Sequence, residues 1–186
     1  LSKDKLSLDL ILKKYPKLKK IKIFSKLNST DKDILKGKDF IFLICLMIID
    51  ETDNTDYFLY KFNISKKDQK RIKSIDNFYK EKINSKTFTK NNMNKFFYYH
   101  GKEITLDILN YGMITFKKHN NFLKELTKHY ENVETPSMPI SADFLIEKYQ
   151  MSEGKQLGEK LKMIEEEWVK NNFKISDKQI DNIIDN

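Results

Sequence analysis

The sequence predicts an all-α chain, an irregular multi-helix bundle with no sheet. Three observations carry this expectation. Apolar residues recur at helical spacing through Leu157, Leu161, Ile164, Trp168 and Val169. Helix-start signals stand before patterned runs at Ser65 and Ser141. One stretch alternates like a strand, Lys17–Leu27, KLKKIKIFSKL, but Leu18, Ile21, Ile23 and Phe24 fit a helix nearly as well, and its helical surroundings favour helix. A chain of 186 residues with 39% hydrophobic and 12% aromatic content has enough apolar side chain to fold around a core, as one domain or two small ones.

In order, Leu6–Lys14 reads as an amphipathic helix through Leu8, Leu10, Ile11 and Leu12, ended near Pro16. Asn28–Gly37 is polar and reads as a loop. Asp39–Ile49 is apolar all round, which predicts the central buried helix. Its run Phe40–Ile49 is ten residues long, whereas a membrane span needs roughly 20. Glu51–Thr55 reads as a loop. Its carboxylates Glu51 and Asp53, with Asp56, lack the glycine turn of a calcium loop. Asp56–Phe62 is a short aromatic helix. Ser65 and Asp68 have capping-box spacing and open a helix with Ile72, Ile75 and Tyr79 inward. Asn84–Thr89 reads as a loop.

Met93–His100 is an aromatic-rich helix stopped by Gly101. Its Phe96, Phe97, Tyr98 and Tyr99 could stack bases, but helical spacing favours core. Glu103–Phe116 continues as a helix through Ile104, Leu106, Ile108, Leu109 and Met113, and Asn120–Tyr130 is another. Asn132–Met138 is a Pro-containing linker. Pro139 sets an extended entry, and Ser141 caps a short helix holding Phe144, Leu145 and Ile146. Ser152 then opens a helix in which Gly154 and Gly158 share one face. A helical glycine costs about 1 kcal/mol against alanine, so a close neighbour should need the missing Cβ. Ser176–Ile184 forms a last short helix through Ile180, Ile183 and Ile184. The expected domains are a helical body, 1–131, and tail helices, 132–186, continuous with it.

The formal net charge is +8, and residues 1–38, with 12 lysines and 4 aspartates, hold all of the excess. Such a cluster binds an anionic polymer by counterion release. The competing explanation is compositional: Lys, Asn and Ile abound and Arg71 is the only arginine. The single Cys45 excludes a disulfide framework and a cysteine metal site, and suits a reducing, cytoplasmic setting. His100, His119 and His129 lack metal-ligand spacing. Asp31-x-Asp33 sits in a polar stretch with no apolar strand before it, so a catalytic role is rejected. No signal peptide is visible, and the start at Leu1 points to a fragment.

Met138–Ser176 resembles the C-terminal end of bacterial CCA-adding enzymes, the tRNA nucleotidyltransferase/poly(A) polymerase family. Pro139, Gly154, Gly158, Leu161 and Trp168 match the family pattern, while Ala142 and the Phe144-Leu145 pair depart from it. Phe62–Ile72 is similar to a helix start of that family, and Tyr99–Leu109 to its "Gly-Lys-Glu, then apolar helix" segment. The resemblance implies the all-helical body and tail of such an enzyme, which hold the acceptor arm and elbow of tRNA. The charge excess puts Lys13, Lys14, Lys17, Lys19 and Lys20 in the expected RNA-binding set, and beside the resemblance Lys66, Lys67, Lys70, Arg71 and Lys73 join them, with Gly154 and Lys155 at a helix start. Arg71 is read as a surface arginine.

The family's Asp-x-Asp after a Gly-Ser pair, which holds the metals, is not in this sequence. Asp68-x-x-Arg71 only mimics part of its base-reading motif. The resemblance therefore implies no catalytic residue, metal ligand or cofactor in this chain. Mg²⁺ and CTP or ATP belong to an N-terminal head, joined by a neck in the same polypeptide, and the chain by itself is expected to transfer no nucleotide. The partner expected is tRNA, with no membrane. The rival classes are a helical protein–protein interaction module with no nucleic-acid role and a complete small enzyme.

Overall fold

A computed structural model describes residues 26–50, 52–81, 87–116 and 120–185. Among these the chain forms nine α-helices and no strand: α1 (Ser29–Leu35), α2 (Phe40–Ile48), α3 (Asn54–Lys61), α4 (Lys66–Lys80), α5 (Lys90–Thr115), α6 (Asn120–Asn132), α7 (Ala142–Tyr149), α8 (Lys155–Lys170) and α9 (Asp177–Asp185). The all-α expectation holds. The predicted helices before residue 26 and residues 84–86 of the Asn84–Thr89 loop lie outside the described residues. Two compact units form, one from the described residues within 1–83 and 106–127, the other from those within 84–105 and 128–186.

In the first unit, α2 is the centre. Six of its nine residues, Phe42, Ile44, Cys45, Leu46, Met47 and Ile48, are buried. A helix apolar on every side must be covered on every side, and α3 and α4 both pack on it. Asp39 caps it, its carboxylate accepting from the Phe42 amide at 2.9 Å. At its far end the Tyr111 hydroxyl donates to the Ile49 carbonyl at 2.9 Å. Ile72, Ile75 and Tyr79 of α4 face inward as their spacing predicts, with Ile108, Leu109 and Met113 from α5 also buried.

The polar stretch Asn28–Gly37 is not a loop. It contains α1, started by a reciprocal capping box: the Asp31 amide donates to Asn28 Oδ1 at 2.8 Å and the Asn28 amide to Asp31 Oδ2 at 3.0 Å. At α4 the Ser65 hydroxyl accepts from the Asp68 amide at 3.2 Å and donates to the Asp68 carboxylate at 2.7 Å, so the predicted cap is realised partly through the hydroxyl.

In the second unit, Gly101 interrupts α5 with φ 81° and ψ 176°, a conformation open to glycine, and so separates the two helical stretches the sequence predicts. Ser141 caps α7 through the Phe144 amide at 3.2 Å. Leu145, Leu157, Ile164 and Ile180 form a core to which Leu161 and Ile183 add half-buried surface. Trp168 is buried against Tyr98 and Phe173, ring centroids 5.4 and 5.0 Å away.

The start of α8 departs from expectation. Ser152 does not open it; Gly154 is the N-cap, at φ 144°, without a side-chain cap bond. Only Gly158 lies inside the helix, and among the described residues nothing comes within 4 Å of where a Cβ would sit on either glycine. Gly154 therefore answers a backbone requirement rather than a close neighbour.

Candidate nucleic-acid interface

The lysine face is built on α4. Lys66, Lys70 and Lys73, at i, i+4 and i+7, share one side of the helix, and all are exposed, as is Lys67. Ile72, Ile75 and Tyr79 anchor the opposite side in the core, which fixes the direction the lysines take. Among the described residues no carboxylate pairs with Lys66, Lys70 or Lys73. Like charges one turn apart oppose helix formation by about 0.2–0.5 kcal/mol per pair. Cations in a helix's first turn also work against its dipole. The row therefore works against the helix that carries it, and an anion laid along it would remove that opposition.

Arg71 does not belong to this face. The surface arginine expected from the sequence is 5% exposed. Its Nε donates to Asp107 Oδ2 at 2.6 Å and its Nη1 to Asp39 Oδ2 at 2.5 Å. Burial alone would lower its pKa, but the two carboxylates outweigh burial and raise it, so the cation is held. Burial pushes the Asp107 carboxyl up, against the pull of the guanidinium. Asp39 is half exposed, and there the bonds from Arg71 and Phe42 overcome desolvation and hold the carboxyl low. The physical reason for the correction is position: Arg71, Ile75 and Tyr79 follow at i, i+4 and i+8, so Arg71 lies on the inward stripe. Lys80, at the end of α4, is likewise engaged, 2.7 Å from Asp76.

In the second unit, Lys155 is exposed and stands 3.6 Å from Glu159, beside the Gly154 cap. Lys13, Lys14, Lys17, Lys19 and Lys20 lie outside the described residues. Of the four consecutive aromatics, Phe97 is core, Tyr98 is half-buried with its hydroxyl on Glu165 at 2.5 Å, and Phe96 stacks on His100. Tyr99 is exposed.

Among the described residues no group of three His, Cys, Asp or Glu side chains comes together; Asp39 and Asp107 converge on Arg71, and Asp56 and Asp76 on Lys80. No helix among the described residues is long and apolar enough to cross a membrane. The sequence reading missed Asp39 and Asp107 as partners of Arg71. Their signal was an acid within or just before an apolar run, Asp107 standing between Ile104 and Ile108.

No curated protein and no solved structure matches the chain. The family described as tRNA nucleotidyltransferase domain 2 matches residues 36–183. That span takes in α2 to α8 and most of α9, including both the lysine face and the Gly154–Trp168 segment, and the chain belongs to the tRNA nucleotidyltransferase family as a helical C-terminal body region.

Proposed function

We propose that this chain is the tRNA-holding body and tail of a CCA-adding tRNA nucleotidyltransferase. It grips the acceptor arm and elbow so that the RNA 3′ end reaches a head and neck in the same cytoplasmic polypeptide. Mg²⁺ and CTP or ATP act in that head; the described residues of this chain offer no such metal cluster. The observation that carries the reading is the row Lys66, Lys70, Lys73, exposed and without carboxylate partners among the described residues, in a chain of a tRNA nucleotidyltransferase family. Phosphates rather than bases are what such a row meets, which suits a partner recognised by shape. The buried thiol of Cys45 suits a reducing compartment.

The test is the salt dependence of tRNA binding. Each phosphate contact adds about 0.7–0.9 to the slope of log affinity against log salt. Replacing Lys66, Lys70 and Lys73 together by Gln should flatten that slope while the helical circular dichroism is kept. Intact tRNA should also compete better than an unstructured RNA of equal length. Equal competition, with an unchanged slope in the triple variant, would return the lysines to a solvated surface and favour the helical protein-interaction module.

A further inference from the structure

The C-terminal turn of α3 presents two tyrosine rings to solvent on the first unit. Tyr60 is 83% exposed and Tyr57 43% exposed. They stand at i and i+3, hence on one side of the helix. The Lys61 ammonium lies over both rings, 5.5 Å from the Tyr57 centroid and 5.8 Å from that of Tyr60. The opposite side of α3 holds the helix in place: Phe58 is buried, and the helix packs on α2 and α4. The rings are therefore displayed on a fixed helix and not on a loose end.

An aromatic side chain ordinarily buries its faces. Tyr60 leaves most of its ring and its hydroxyl in water, Lys61 apart, with no hydrogen-bond partner among the described residues. The lysines that follow in the chain select the class of partner. Asp53 takes the N-cap position at the other end of α3, without a side-chain cap bond, about 10 Å along the axis at 1.5 Å per residue, and Asp56 faces Lys80 at 3.7 Å, a lysine that also holds Asp76 at 2.7 Å. Asp56 stands one turn before Tyr60, and Lys61 is the charge of the C-terminal turn itself. Beyond it, a short connection, closed by Gln69 Nε2 donating to the Ile64 carbonyl at 2.8 Å, leads into the lysine row of α4. Lys66 follows Tyr60 by six positions, so their backbones are at most about 21 Å apart. Aromatic faces with one cation, followed by a row of cations, match a ligand with flat bases and regularly placed phosphates.

We propose that Tyr60, with Tyr57 and Lys61, is a stacking platform for an unpaired nucleotide of the RNA whose phosphates lie along Lys66, Lys70 and Lys73. The proposal rests on the tRNA-holding reading and adds a contact to a base face, open only where the RNA is single-stranded. Every base has such a face, so the platform tolerates any sequence.

The experiment compares Tyr60→Ala and Tyr60→Phe in the full chain, with two probes: intact tRNA, and a blunt, fully paired RNA duplex. Stacking on one aromatic corresponds to roughly 5- to 150-fold in affinity. Tyr60→Ala should weaken tRNA binding within that range and leave the salt slope unchanged. Tyr60→Phe should keep it, and duplex binding should be indifferent to both. Because Tyr60 is exposed, circular dichroism should be identical in all three proteins. If Tyr60→Ala binds tRNA as the wild type does, while the lysine variant flattens the slope, the platform is overturned and the tRNA-holding reading stands. Equal loss on tRNA and duplex would also overturn it, since a paired end offers no splayed base. If the wild type binds neither RNA, the tRNA-holding reading falls and the platform with it.

Discussion

Arg71 carries the largest single electrostatic commitment among the described residues. Its two carboxylates come from different places: Asp39 caps α2, and Asp107 lies in α5. The guanidinium therefore ties the start of the central helix to two others, which a planar fork of donors can do and an ammonium cannot. Removing one partner of a buried ion pair costs about 3–5 kcal/mol, because the other charge is left without compensation. Arg71→Met should lose that much in urea unfolding, and Arg71→Lys should recover little of it. Arg71→Met combined with Asp107→Leu should be more stable than Arg71→Met alone, since no buried charge is then stranded. If the double variant is the weaker, Asp107 has a partner other than Arg71. The lysines of α4 were legible as an exposed row, but grouping Arg71 with them by charge ignored its register with Ile75 and Tyr79. Charge alone does not say which side of a helix a residue is on; the apolar neighbours one turn away do.

At the scale of the helix, the two glycines of α8 separate into different physical cases. Gly154 is the N-cap at φ 144°, a conformation that L side chains rarely adopt. Gly158 has helical geometry and open space around its Cβ position. Gly154→Ala should cost about 1–3 kcal/mol from backbone strain. Gly158→Ala should instead stabilise the protein by roughly 0.5–1 kcal/mol, from helix propensity. Thermal unfolding of the two variants checks the opposite signs; a destabilised Gly158→Ala would mean that something packs on that face after all. The sequence showed two glycines four apart and suggested a shared face, because it placed the helix start at Ser152. The cap decides where a helix begins, and a serine without a bond to the first turn does not make one. The same lesson applies in reverse at α1, where Asn28 and Asp31 already stood at capping-box spacing inside a stretch read as polar loop.

Across the whole molecule, buried and half-buried tyrosines set an alkaline limit to stability in both units. In the second unit, burial first, then the bond to Glu165, raises the Tyr98 hydroxyl to about 12. Burial also raises Tyr130 to about 12, its hydroxyl on Asn94 at 2.7 Å. In the first unit, burial pushes Tyr79 well up, its hydroxyl donating to the Ile108 carbonyl. The unfolded chain ionises these groups near 10, so the folded state holds the protons more tightly. Their contribution to stability is complete below pH 10 and is lost as pH rises from 10 towards 12. Trp168, the only tryptophan, stands against Tyr98. Its fluorescence should report unfolding in that window, and Tyr98→Phe should move the transition to higher pH. A transition unmoved by that change would place the sensitive group elsewhere.

The sequence by itself determined the helical class, most helix positions, the buried α2 and the inward stripes of α4 and α8, because each depends on spacing within a few residues. Its motifs also pointed to the family to which the chain belongs, since those patterns are linear. The tertiary structure decided what rests on residues distant in the chain. It turned a surface arginine into a buried junction 36 residues from its partner Asp107, and it left Tyr60 in water while Phe58 went inside. Local pattern fixes which side of a helix is apolar. Only the packing of other helices against that side decides which polar groups are carried inward and must find a partner there.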